Sequence, residues 1–197
     1  MRGKLVRRHA EVPFLSLQRG FSLLELVMTL SLAATLSMAG VSSFQHLVAN
    51  NKVDTLMWTL RTSLALARSE AINRGQRVVL CRQSVSPGQC AGSTHTGKAV
   101  WNQGWLVFVD KDNDRLLDTA KGDELLRVFQ PLDSVQRLMW NGGDFIAYDG
   151  SGALGSKNGT FCVGHSSGAT ELQRELVLMY TGRVRTAATT CRYPLLL

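Results

Sequence analysis

The pattern of apolar residues predicts one long helix near the start of the chain. An apolar run extends from Phe21 to about Val41 and is long enough to cross a bilayer, which takes roughly 20 residues. Beyond it, apolar residues recur mostly at intervals of three and four, which is typical of an amphipathic helix: Val53, Leu56, Met57, Leu60, Leu64, Ala67 and Ala71. Gly75 favours a helix end. We therefore predict a helix over residues 21–74 that is transmembrane to about Val41.

The rest of the chain has the pattern of an antiparallel β domain. Short runs rich in β-branched and aromatic residues alternate with Gly, Asn, Asp and Pro, which predicts strands separated by turns. The predicted strands are Gln76–Cys81, Gly104–Val109, Leu125–Gln130, Val135–Trp140, Phe145–Tyr148, Thr160–Val163, Leu172–Tyr180 and Arg183–Thr186. The expected fold class is α+β, with a long N-terminal helix packed on a C-terminal antiparallel β-sandwich over residues 75–197.

A carboxylate stands inside the apolar run. The residues Arg19-Gly20-Phe21-Ser22-Leu23-Leu24-Glu25 join a basic segment to that run. Glu25 in lipid would cost about 2.5–3.5 kcal/mol on insertion scales. Cleavage after Gly20 would create a positive amine on Phe21, able to neutralise Glu25 in its own chain or in a neighbouring one. An ordinary signal peptide is the alternative, but such a peptide is cut after its apolar core, at an Ala-x-Ala-like site.

The distribution of charge and the four cysteines indicate in which compartments the N-terminus and the β domain lie. Five basic residues and one acidic residue give residues 1–20 a charge of +4, out of a net +7 for the chain. Lys and Arg are enriched on the cytoplasmic side of membrane helices, so we expect a cytoplasmic N-terminus and a β domain across the membrane. Four cysteines agree with an oxidising compartment. They permit three pairings, of which we favour Cys81–Cys90, a short loop, with Cys162–Cys191; the close spacing of a metal site is absent.

Several segments carry a resemblance to a known family. Gly20, Phe21 and Glu25 resemble the prepilin-peptidase site of type IV pilins and pseudopilins, in which Gly ends a basic leader and Glu is fifth in the mature chain. Three further segments are similar to the GspH/FimT branch of minor pilins and pseudopilins: Ala67–Gly75, Gly104–Asp110 and Thr181–Arg185.

The resemblance implies how the subunit is processed, where it lies and how it is assembled. A prepilin peptidase would remove the leader, residues 1–20, by cutting between Gly20 and Phe21, and would methylate the amine of Phe21. Glu25 would serve assembly with other pilin or pseudopilin subunits. The chain would cross the inner membrane once, with residues 75–197 in the periplasm, before it enters a type IV pilus or a type II secretion pseudopilus. We expect no enzymatic activity and no cofactor.

The segment Gly182-Arg183-Val184-Arg185 is the candidate ligand site. In a strand, residues two apart share a face and lie roughly 6.5–7 Å apart, so Arg183 and Arg185 could hold two phosphates. FimT-like minor pilins are thought to bind DNA for natural transformation through a matching C-terminal segment. Under the alternative, Gly182 is a turn residue, the arginines pair with acids such as Glu171 or Glu175, and the chain is a GspH-like pseudopilin with no DNA role.

Two other motifs resemble functional sites but lack residues that those sites require. Gly164-His165-Ser166-Ser167-Gly168 matches a nucleophile elbow, but no histidine follows it, so we predict a turn between strands. Asp110, Asp112 and Asp114 alternate as in a calcium loop. An EF-hand would need Gly and Glu where Arg115 and Lys121 stand. A solvated loop is the simpler interpretation, and a non-EF calcium site completed by Asp118 or Asp123 is the alternative.

Overall fold

The computed structural model describes residues 20–133, 136–155, 158–167, 170–187 and 191. It divides into two units, Met1–Ser42 and Ser43–Leu197. Most of the predicted leader, residues 1–19, lies outside the described residues. Helix α1 extends over Leu23–Arg74, in agreement with the hydrophobic pattern.

The part of α1 in the first unit has an apolar surface. Its described large apolar side chains are exposed, among them Leu24, Leu30 and Leu36. The hydroxyls of Thr29 and Ser31 donate hydrogen bonds to backbone carbonyls of the preceding turn, so these polar atoms are satisfied within the helix. Among the described residues, no helical stretch has both the length and the apolar character that a membrane span requires.

The second unit contains two antiparallel sheets. The strands are β1 Val78–Arg82, β2 Ala99–Val100, β3 Trp105–Val109, β4 Glu124–Phe129, β5 Gln136–Trp140, β6 Phe145–Tyr148, β7 Gly159–Ser167, β8 Thr170–Leu178 and β9 Val184–Ala187. The first sheet has the order β4-β3-β1-β6, and the second has the order β2-β5-β7-β8-β9. The predicted α+β class with an antiparallel β domain is therefore confirmed.

The structure corrects three details of the predicted elements. The two-residue strand β2 was not predicted. Arg183 precedes β9 instead of opening it, because the chain is still in a turn at Gly182. Residues Gly164–Ser167 are part of β7 rather than a turn, since the pairing with β8 continues to Ser167 and Thr170.

The core forms where α1 meets the inner faces of both sheets. The apolar stripe of the helix, from Val53 to Ala71, is buried in one cluster with strand residues such as Leu80, Val107 and Leu176. A smaller cluster covers the opposite face of the first sheet and is formed by Val79, Cys81, Leu106, Phe108, Phe145 and Ala147. Both clusters lie within Ser43–Leu197, so this unit has a hydrophobic core of its own.

The disulfide pairing that we favoured is the one in the structure. Cys81 bonds Cys90, and Cys162 bonds Cys191. The first bond attaches the loop after β1 to the smaller cluster, and the second attaches the C-terminal region to strand β7. Because both closed loops lie in the β domain, the bonds constrain the unfolded chain there and so favour the folded state.

Truncation of the buried helix face should be costly. Leu64 is fully buried in the main cluster. Leu64→Ala should lower the free energy of unfolding by about 2–5 kcal/mol, because it removes transfer energy and leaves a cavity. Leu47→Ala, the same change at a 57% exposed position of the same helix, should stay within about 0.5 kcal/mol. Urea unfolding of Ser43–Leu197 measures both, and equal losses would contradict the packing described.

Candidate functional site

The segment 182–185 lies where the hairpin of β8 and β9 turns. The Gly182 N–H donates to the carbonyl of Met179 at 2.8 Å, and the Met179 N–H donates to the carbonyl of Arg183 at 2.9 Å. Gly182 has a φ of +77°, in the left-handed region that glycine adopts without strain. Gly182 therefore lies in the turn, and it fixes where Arg183 leaves the turn.

Helix α1 holds this turn in place. The guanidinium of Arg68 donates to the carbonyl of Gly182 at 3.2 Å and to the carbonyl of Thr181 at 3.1 Å. On the other side, the Leu154 N–H donates to the carbonyl of Tyr180 at 2.8 Å. The turn is therefore fixed by two elements that are distant in sequence. Sequence reasoning gave Arg68 no part in this site; there it lay only within the family-like segment Ala67–Gly75.

Arg183 and Arg185 are both exposed. Arg185 is opposite Val177 in the β8–β9 register, while the flanking residues Leu176 and Leu178 are fully buried, so Arg185 belongs to the outer face of the second sheet. Within the part of the chain that the structure describes, neither arginine forms an ion pair. The side chain of Glu171 lies outside the described residues, and Glu175 is opposite Ala187, not an arginine.

Among the described residues, the nearby basic side chains of Arg174 and Arg61 do not extend the pair. Arg174 alternates with Glu175 along β8 and so belongs to the face of Leu176, where its Nε lies 3.6 Å from Oδ1 of Asp54. Arg61 donates to the hydroxyl of Thr186 at 3.3 Å. The candidate phosphate site, as far as described residues define it, is therefore Arg183 and Arg185 on the Gly182 turn.

The processing junction is accessible. Gly20 is exposed, and Phe21 is 78% exposed. Glu25 is in the first turn of α1, where a negative charge interacts favourably with the positive end of the helix dipole. The structure thus leaves the bond between Gly20 and Phe21 open to a peptidase, and cleavage there stays a prediction.

The nucleophile-elbow motif has no hydrolase geometry. An elbow needs a strand, a sharp turn and a helix, but Gly164–Ser167 belong to β7 and the next described element is strand β8. His165 is 5% exposed, its Nδ1 has no hydrogen-bond partner, and burial lowers the pKa of its imidazole. The base of such a motif would be a histidine after the serine, and none follows His165 in the sequence.

The aspartate loop does bring carboxylates together. Asp110, Asp112, Asp114 and Asp123 each have an oxygen within 4.8 Å of the others, whereas Asp118 caps a short 3-10 helix, Thr119–Lys121. Burial raises the pKa of Asp110 against the opposing effect of Arg77. Hydrogen bonds from Lys121 and from the Leu116 N–H lower the pKa of Asp114. Of the two predicted completions, only Asp123 joins the group.

Comparison with known proteins defines the class. The model of a family described as type II transport protein GspH matches residues 59–181, and the chain belongs to this family of minor pilins and pseudopilins. Two crystal forms of the Pseudomonas aeruginosa type IV minor pilin FimU are similar, at 15% and 13% identity. Their TM-scores are 0.49 and 0.46, and the alignments cover 71% of this chain and 90% or 92% of FimU. No curated protein matches the sequence.

The family match does not extend over the processing junction or the Gly182 turn. It begins after the junction at Gly20 and ends at Thr181, one residue before Gly182. Membership in the family therefore assigns the β domain and association with other pilin subunits. The roles of Glu25, Arg183 and Arg185 depend on their own geometry.

The turn glycine provides a direct test of this geometry. A Cβ on Gly182 would lie 2.1 Å from the carbonyl oxygen of Gly152, whereas a Cβ on Gly75, also at positive φ, would meet nothing within 4 Å. Gly75→Ala should cost about 1–2 kcal/mol of stability for its backbone conformation alone. Gly182→Ala should cost about 1–3 kcal/mol more, because backbone must also move. Thermal or urea unfolding compares the two, and equal costs would disprove the close packing.

Proposed function

We propose that this chain is a low-abundance subunit of a type IV pilus, cut between Gly20 and Phe21 by a prepilin peptidase and methylated on Phe21. Two features support this. The first part of α1 exposes an apolar surface that suits packing against other helices in a filament. The junction that precedes it is exposed and has the residues of a prepilin site. Residues 75–197 would then lie in the periplasm before assembly.

Glu25 is the residue that we assign to assembly. Among residues 21–45 it is the only one with a charged side chain at neutral pH. A carboxylate among apolar helices is stable only when a positive group neutralises it. The amine that cleavage creates on Phe21, in the same chain or in a neighbour, is such a group, and methylation leaves it able to carry the charge.

The charge pair predicts how variants of Glu25 behave. Glu25→Ala should leave cleavage intact and reduce incorporation into sheared filaments by about tenfold or more, since each 1.4 kcal/mol of lost pairing is tenfold. Glu25→Gln should reduce incorporation by the same factor, whereas Glu25→Asp should retain most of it. Immunoblots of the filament and membrane fractions measure this. Normal incorporation of Glu25→Gln would exclude a charge pair.

We further propose that the subunit binds DNA through Arg183 and Arg185 and so serves DNA uptake. The observation that carries this proposal is two exposed arginines without ion-pair partners among the described residues, on a turn fixed by Arg68. Arginine suits phosphate because its planar fork donates two parallel hydrogen bonds. Phosphate contacts carry no sequence information, so binding should show little sequence preference.

Salt dependence separates phosphate contacts from other binding. Two neutralised phosphates predict a slope of about −1.8 in log K against log salt, which weakens binding about twelvefold between 50 and 200 mM. The segment Ser43–Leu197, titrated with unrelated duplexes in an anisotropy assay, should show this. Arg183→Ala with Arg185→Ala should abolish binding, while Lys111→Ala with Arg127→Ala, which removes two exposed charges elsewhere, should not. Binding retained by a folded Arg183/Arg185 variant would refute the proposal.

A pseudopilin of a type II secretion system is the second candidate. The description of the matching family favours it directly. This function requires the same junction and helix but no affinity for nucleic acid. Absence of DNA binding at low salt, together with normal dependence of assembly on Glu25, would favour this candidate over the DNA-uptake subunit.

A further inference from the structure

The loop between β3 and β4 brings four carboxylates close together. Asp110 follows the end of β3, Asp123 precedes β4, and Asp112 and Asp114 lie between them. One oxygen from each lies within 4.8 Å of the others. Calcium–oxygen distances are about 2.3–2.6 Å, so two ligands on opposite sides of the ion are about 4.6–5.2 Å apart. The four oxygens therefore fit around a single calcium ion.

The buried carboxylate of Asp110 is a second, separate observation that points to a ligand. The side chain of Asp110 is fully buried, and among the described residues only the Asn113 N–H acts on its carboxylate, without meeting the full geometry of a hydrogen bond. Its closest positive group, Nη1 of Arg77, is 4.0 Å from Oδ2, which is too far for a hydrogen bond. Burial of a carboxylate with so few close donors is unfavourable, because the protein only partly replaces the water that solvated it. A bound cation would remove this penalty.

Backbone groups already orient the other three aspartates. Asp123 accepts hydrogen bonds from the N–H groups of Lys111 and Asp118, one on each oxygen. Asp112 and Asp114 each use Oδ1 to accept a backbone N–H. Their Oδ2 atoms remain for a cation. A site whose ligands are held by second contacts loses less freedom when it binds an ion.

The ammonium of Lys121 now lies beside this position. Its Nζ is 3.1 Å from Oδ2 of Asp112 and 2.9 Å from Oδ2 of Asp114. The side chain is 52% exposed, so it can turn into solvent when another cation arrives. Lys121 does not contact Asp110, and together with Arg77 it brings two positive charges against four carboxylates. The group is therefore only partly neutralised by the protein itself.

We propose that Asp110, Asp112, Asp114 and Asp123 bind a calcium ion, which displaces the ammonium of Lys121. A set made only of oxygen ligands suits a hard cation, and calcium accepts several carboxylates in irregular geometry. Magnesium demands near-ideal octahedral geometry and usually keeps several waters, so it should bind more weakly. Bound calcium joins the end of β3 to the start of β4 and fixes the loop between them. This proposal is independent of DNA binding.

Calorimetric titration of the full-length protein in nonionic detergent tests this site. Calcium chloride should bind at one site with a Kd of about 0.1–1 mM, the range of extracellular calcium modules, and magnesium chloride at least about tenfold more weakly. Asp110→Asn should weaken calcium binding by about tenfold or more, as should Asp112→Asn. Asp133→Asn removes an exposed carboxylate outside the group and should change nothing. Lys121→Gln should tighten binding, because the competing ammonium is gone.

Two results of these titrations would overturn the calcium site, and a third would overturn only the displacement of Lys121. Absence of saturable calcium binding up to about 10 mM, ten times the weakest expected Kd, would overturn the proposal. So would unchanged affinity in folded Asp112→Asn, which serves if Asp110→Asn does not fold, as judged by circular dichroism. Weaker calcium binding in Lys121→Gln would show that the lysine supports the loop rather than competes for the site, and would overturn the displacement.

Discussion

Burial of one face of α1 between the two sheets is the interaction on which the rest of the second unit depends. Leu60, Leu64, Ala67 and Ala71 are completely buried there, and both sheets contribute strand residues to the same cluster. Apolar burial of this kind supplies most of the favourable free energy of folding. Neither sheet could bury its inner face without the helix, so the helix is the element that unites the domain.

The same helix also determines where the candidate phosphate site lies. Arg68 is one residue from the buried Ala67, and its guanidinium holds the β8–β9 turn from which Arg183 projects. Formation of the core therefore brings Arg68 to the turn, and the turn sets the position of the exposed arginines. The second sheet presents Arg185 on its outer face, and the helix fixes the turn through Arg68.

Sequence reasoning predicts those elements of the structure that periodicity and local residue chemistry determine. The helix could be predicted from its stripe ending at Ala71, and the strands from their composition, because both signals lie within a few residues. The contact of Arg68 with Gly182 joins residues 114 positions apart and has no local signal. Arg183 was placed in a strand because β propensity ignores the turn that Gly182 forms. Asp123 was only one of two options, since the path of the loop after Asp114 depends on backbone geometry and not on spacing.

Strand β9 has a neighbour on one side only, among the residues that the structure describes. Its free edge offers unpaired backbone groups to any other extended chain, and natural proteins protect such edges with short strands and charged side chains. β9 has four residues and carries Arg185, with Arg183 just before it. The two arginines therefore place positive charge at this edge, and like charges disfavour strand pairing with a second copy of it.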